Sequence, residues 1–196
     1  MVVLSPQCTT GALRSLVIAS RVLLIALLGL SIFERSVYAD EALGSKVKAA
    51  FIYNFIKFVK WPPGTLSNPA DQFTICTAAP EAVGRVLDET VGDKSADGHP
   101  LRVRTLKKED DLTACQVLFL SGPDGSKFAG RVLPFSAQGI LIILDDDVSA
   151  QYSGAGMITF LLENSRMRFA INNNLAEHAN IAISSKLLSL AARMGR

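Results

Sequence analysis

Histidine is scarce in this chain: His99 and His178 are the only two among 196 residues. Serine-type nucleophilic catalysis needs a histidine oriented by a carboxylate. His99 lies in a Gly-His-Pro loop and His178 beside Glu177, and no G-x-S-x-G motif accompanies either. Both read as surface histidines. Cysteine is scarce too, and Cys8, Cys76 and Cys115 form neither a C-x-x-C pair nor part of a cluster of metal ligands. Gly122, Gly125 and Gly130 lack the spacing of a phosphate-binding loop or a dinucleotide fingerprint, so they read as turn residues. Asp145-Asp146-Asp147 could offer oxygens to a hard cation. Consecutive carboxylates lack the alternating spacing of a calcium loop, and capping of the next segment is the simpler role. No catalytic residue, metal or cofactor is expected.

An excess of charge is also missing from the part of the chain expected to fold. Arg14 and Arg21 precede the apolar run Val22–Leu30, and Val37-Tyr38-Ala39 places small residues at the positions a signal peptidase reads. The run is short for a bilayer span, which takes about 20 residues. Residues 1–39 are therefore expected to be a cleavable secretory signal, cut after Ala39, leaving one domain over 40–196. Cys8 lies upstream of the run, where it cannot be a lipoprotein cysteine. Removing Arg14, Arg21, Arg35 and Glu34 takes the 20 basic and 18 acidic residues to 17 of each, a net charge of zero. No electrostatic case for nucleic acid remains.

Cys76 and Cys115 are then the remaining pair, and in an oxidising compartment such a pair reads as a disulfide. A metal pair or a redox dithiol are the alternatives, and whether the bond is a staple or a switch stays open. A loop of about 40 residues closed this way is worth about 4 kcal/mol by chain entropy.

Periodicity gives the elements. Val47, Phe51, Phe55 and Phe58 recur at helical spacing, widened by Ile52, Ile56 and Val59, which predicts a helix over 43–61 stopped by Trp61-Pro62-Pro63-Gly64. Strands are expected at Gln72–Thr77, Leu101–Leu106, Val117–Leu120 and Ile140–Leu144, with helices at Pro80–Val91 and Ser126–Ser136 and a loop at Ser121–Gly125. Met157–Leu162 and Arg166–Ile171 read as a hairpin around Glu163-Asn-Ser165. Leu175–Met194 reads as a long C-terminal helix with one broad apolar face and a second stripe through Ile181 and Leu188. Either that helix is sandwiched inside the domain or the second stripe meets a partner. The fold class is α/β: a mostly parallel central sheet, an antiparallel hairpin at one edge, helices on both faces, and helices at both termini.

Two stretches resemble the YfiR family of periplasmic proteins. Lys48-Ala-Ala-Phe-Ile-Tyr-Asn-Phe-Ile-Lys-Phe-Val-Lys-Trp-Pro62 resembles its opening signature, with Tyr53, Asn54, Trp61 and Pro62 as motif positions. Gly156-Met-Ile158 with Phe160, then Arg168-Phe169-x-Ile171-Asn172, then Ile183-Ser184-Ser185 through Ala191 resemble its closing pattern, and Cys115–Phe119 resembles its central strand. Ala155, Leu175 and Asn180 depart from it, and the further cysteine pair of some relatives is absent. The resemblance implies a signalling role without catalysis: a periplasmic protein that binds the periplasmic region of an inner-membrane diguanylate cyclase and represses it, lowering cyclic di-GMP and biofilm formation. It also implies sequestration by an outer-membrane OmpA-like lipoprotein, and it sets the family's cysteine pair on Cys76 and Cys115. Phe160, Ile181 and Leu188 are the positions expected to form the partner-binding patch, and a homodimer is a further expectation. The alternative reading is a periplasmic small-molecule sensor with its ligand at the sheet edge.

Overall fold

The computed structural model of the chain describes residues 43–195 apart from 69, 108, 133–137 and 153. The expected signal, its cleavage site, Cys8 and the far end of the helix expected over Ser126–Ser136 lie outside these residues.

The first helix, α1, covers residues 43–57. Its stripe is buried through Ile52, Phe55 and Ile56, each at most 2 % exposed, while Val47, Phe51 and Phe58 are only half-buried. It ends four residues short of the expected Trp61. Phe58 donates its amide to the Phe55 carbonyl at 3.0 Å, and the chain turns extended as β1, Val59–Lys60. Residues preceding a proline avoid helical geometry, and Trp61 precedes Pro62.

The sheet follows. Its elements in chain order are β2 (Phe73–Ala78), α2 (Glu81–Val91), β3 (Ser95–Ala96), β4 (His99–Thr105), β5 (Val117–Leu120), α3 (Gly122–Val132), β6 (Leu141–Leu144), α4 (Asp146–Ser149), β7 (Ile158–Glu163) and β8 (Arg166–Asn172). The C-terminal stretch adds α5 (Asn173–His178), β9 (Ala182–Ile183), α6 (Ser185–Leu188) and β10 (Arg193–Gly195). Eight strands align in the order β10-β8-β7-β6-β5-β2-β4-β3, and β1 pairs with β9 in a separate two-stranded ladder. The pairs from β7 through β6, β5 and β2 to β4 are parallel, as is β10 with β8, whereas β7–β8 and β3–β4 are antiparallel. The all-apolar runs of β5 and β6 are buried throughout, as strands covered on both faces must be.

Right-handed crossovers decide where the helices go. From β2 the chain passes through α2 to β4 on one side, and from β5 through α3 to β6 on the other, so α2 and α3 take opposite faces of the sheet. α1 covers one face with its phenylalanines: Phe55 lies 5.8 Å from Phe160 and 5.0 Å from Phe169, ring centroid to centroid. Phe160 and Phe169 are cross-strand partners in the β7–β8 hairpin, and Phe119 of β5 meets Phe160 edge-on at 6.1 Å. Each such side chain buried contributes roughly 1.5–3 kcal/mol.

The connection from β4 to β5 is unusual. These strands flank β2 on either side, so the segment 106–116 must cross the sheet from one end to the other, and its described residues form neither helix nor strand. Parallel crossovers ordinarily use a helix. Here the segment is tied to β2 directly: the Leu106 amide donates to the Thr77 carbonyl at 2.8 Å, and the Gln116 amide to the Thr74 carbonyl at 3.0 Å.

The C-terminal region corrects the sequence expectation. There is no long helix over Leu175–Met194. Asn180 adopts φ +55°, ending α5, and the chain becomes β9 against β1 before Ser184 caps the short α6. Arg193–Gly195 then pairs in parallel with Ala170–Asn172 of β8, so the hairpin is not the sheet edge on that side. The loop expected at Ser121–Gly125 is likewise the start of α3, with Pro123 and Asp124 in its first turn, where a missing N–H and a negative charge are both tolerated.

Candidate functional site

The disulfide sits where the crossover passes β2. Cys76 lies in the middle of β2, and Cys115 ends the crossover just before β5. They are joined by a disulfide, Cα to Cα 5.7 Å, and both are buried. Arg104, the residue beside Cys76 on β4, donates from Nη2 to the Asp111 carbonyl at 2.6 Å and lies 3.5 Å from the Cys115 sulfur. Asp111 accepts from the Thr113 amide at 2.9 Å and from its hydroxyl. Those two bonds, the hydroxyl's first, hold the Asp111 carboxyl below its ordinary 3.8, and the Arg104 charge adds to the effect. Apart from Cys115, the apolar side chains of the crossover bury only Leu106 and Leu112, so the bond supplies what a packed helix supplies elsewhere.

A second cluster lies at the C-terminal ends of β5 and β6, the edge where open α/β sheets take ligands. The Asp145 carboxylate accepts from Ser121 Oγ at 2.7 Å and from the Asp146 amide at 3.1 Å, and is ion-paired with Lys48 of α1. Asp145 thus caps α4, while Asp146 and Asp147 are exposed and Asp147 accepts from the Val148 amide at 2.9 Å. Every partner of the buried carboxylate comes from the chain itself, and the cluster latches α1 onto the sheet. Among the described residues no group of three or more His, Cys, Asp or Glu side chains could hold a metal ion. No sequence signal pairs Lys48 with Asp145, which lie 97 positions apart.

The remaining sequence-selected residues divide by role. Trp61 donates from Nε1 to the Gln116 carbonyl at 3.1 Å and sets its ring edge-on to Phe73 at 4.8 Å. Pro62 packs where a side chain on Gly139 would meet it at 3.1 Å. Asn172 caps α5 by accepting from the Leu175 amide at 3.1 Å, and Ser184 caps α6 through the Leu187 amide at 3.3 Å. Ser185 opens α6 and is exposed, as is Asn54. A Cβ on Gly156 would stand 2.8 Å from Leu144 Cγ, so only glycine fits between β6 and β7. Phe169 belongs to the core under α1. Tyr53 is half-buried, with the Lys57 and Lys94 ammonium groups 5.0 Å and 4.8 Å from its ring centroid. His99 Nδ1 lies 3.0 Å from the Asp71 carbonyl, joining the start of β4 to the approach to β2, and His178 Nδ1 lies 2.6 Å from the Asn174 carbonyl one helical turn back.

Two of the three residues expected in the partner patch are corrected. Phe160 is fully buried because α1 covers its face of β7, and Ile181 is 1 % exposed because the turn at Asn180 folds it inward. Neither offers surface to a partner. Leu188 alone is half-buried at the periphery of the core.

None of the curated proteins matches the chain. The profile of the YfiR/HmsC-like family matches residues 45–192, from the first turns of α1 to the approach to β10. That span takes in the disulfide, the capped C-terminal turns and the α1 aromatic core together. The chain belongs to the YfiR/HmsC-like family.

Proposed function

We propose that the chain works in the periplasm as a regulator that binds the periplasmic region of an inner-membrane diguanylate cyclase and holds it inactive. The observation that carries this reading is membership of the YfiR/HmsC-like family over 45–192. The buried Cys76–Cys115 bond fits an oxidising compartment. Among the described residues no helix is long and apolar enough to cross a membrane. A repressor acts by binding the inactive state of its target more tightly than the active one. Swinging a population from 99:1 to 1:99 takes about 5.5 kcal/mol of such preference. Release of the repressor, by an outer-membrane OmpA-like lipoprotein that sequesters it, returns the cyclase to work.

Cells that lose this chain are expected to accumulate cyclic di-GMP and form more biofilm. Re-expression with residues 1–39 in place restores the low level, and a version lacking them, confined to the cytoplasm, does not. Cyclic di-GMP that stays unchanged when the chain is lost contradicts the proposal.

A further inference from the structure

The segment 42–70, which holds α1 and β1, carries one sign of charge. No Asp or Glu occurs between Glu41 and Asp71, while Lys46, Lys48, Lys57 and Lys60 all fall in that stretch. Lys48 is taken by Asp145. Lys46 and Lys57 are exposed and eleven residues apart, three helical turns, so they share a face with the exposed Ala50 and Asn54. Lys60 is exposed on β1, and Lys186 joins from α6, its ammonium 5.5 Å from the Phe58 ring centroid. None of these four lysines has an ion-pair partner among the described residues. Lys94 meets the Tyr53 ring beside Lys57, and its chain neighbour Asp93 offsets its charge there.

We infer that this face, Lys46, Lys57, Lys60 and Lys186, binds the anionic headgroups of a phospholipid bilayer. The cations are all lysine and none is arginine. Protein interfaces favour arginine, whose planar fork matches carboxylates, and are depleted in lysine. Lysine is a compact point charge, suited to diffuse attraction by a charged surface. With a net charge near zero outside residues 1–39, the molecule as a whole gains nothing from such a surface, so attraction orients it with α1 inward. The inference does not depend on the cyclase reading; it would keep the protein within reach of any membrane-embedded partner.

The test is co-sedimentation of the protein, exported with its own leader and purified from the periplasm, with vesicles. The vesicles are phosphatidylcholine alone or with about one-third phosphatidylglycerol, at low salt. Sedimentation is expected only with the anionic vesicles. Each lysine contributes about fivefold in partitioning, so Lys57→Gln/Lys60→Gln lowers it about 25-fold. Lys107→Gln, in the β4–β5 crossover, leaves it within about twofold. Lys46→Gln/Lys186→Gln serves as a second variant should the first lose its thermal transition. Sedimentation with neither vesicle, equal sedimentation with both, or an equal loss in Lys107→Gln overturns the inference. Cyclic di-GMP plays no part in this readout, so the two proposals fail separately.

Discussion

Removing the Cys76–Cys115 bond tests how the crossover is held. The bond closes a loop of 39 residues, which chain entropy values at about 4 kcal/mol. For a domain of this size each kcal/mol moves the thermal midpoint by roughly 2–4 °C, so Cys76→Ala/Cys115→Ala should lower it by roughly 8–16 °C. Reduction of the native protein should do the same without altering a side chain. The loss has a place as well as a size. The Leu106 and Gln116 amides, bonded to β2, should exchange with solvent much faster, while amides of β6 keep the protection set by the remaining global stability. Calorimetry and hydrogen exchange read the two parts. A midpoint that falls by less than about 3 °C, or exchange that rises in β6 before 106–116, would refute the view that the bond replaces a packed crossover helix.

Other outcomes follow from single contacts. A Cβ on Gly125 would lie 2.8 Å from the Leu120 carbonyl carbon and 3.0 Å from the Ala78 oxygen. Backbone cannot yield there, so Gly125→Ala should cost about 3 kcal/mol in urea unfolding, whereas Gly130→Ala, exposed on the same helix, should stabilise by up to about 1 kcal/mol. Lys48→Met leaves the buried Asp145 carboxylate without its cation and should cost about 3 kcal/mol; adding Asp145→Asn, which still caps α4, should recover more than half. Asn172→Ala should cost about 1 kcal/mol through the lost cap of α5. Asp111 has a folded value below the ordinary 3.8, so its contribution to stability is present above that value and is lost as pH falls further, through the folded one. Carboxyl titration followed by NMR should show this, and Thr113→Val should move the titration upward; a titration at or above 3.8 in the native protein contradicts the bonding described.

Much of the fold is written in local periodicity. The runs Val117–Leu120 and Leu141–Leu144 are buried throughout; the α1 stripe buries Ile52, Phe55, Ile56 and Val59 but leaves Val47, Phe51 and Phe58 half-buried, and the last hairpin buries Ile158, Phe160, Phe169 and Ile171 but exposes Leu162. The C-terminal stretch misleads for the same reason. Leu175, Ala179, Ile183, Leu187, Leu190 and Met194 keep helical spacing, yet only Ala179, just past α5, and Leu187, in α6, are buried, while Leu190 and Met194 are exposed. Asn180 in the left-handed region and Ser184 as a cap are both helix-boundary residues, and weighing them over the apolar count would have divided the segment. Asp97-Gly98, both at positive φ, likewise marks the β3–β4 hairpin that periodicity alone cannot show in a two-residue strand. At the candidate site the disulfide followed from counting cysteines. The Lys48–Asp145 latch and the choice of which apolar residues reach the surface depend on packing between distant segments, which spacing does not show, and so Phe160 and Ile181 are buried where spacing alone sets them outward.

The most direct test of the repressor proposal is capture in cells. The chain is exported with its own leader, cross-linked where it resides, and purified under denaturing conditions for identification of what it holds. The proposal predicts a membrane diguanylate cyclase joined through its periplasmic region, at a yield that falls as cyclic di-GMP rises. Cyclase present in the same membranes but never joined to the chain would contradict it.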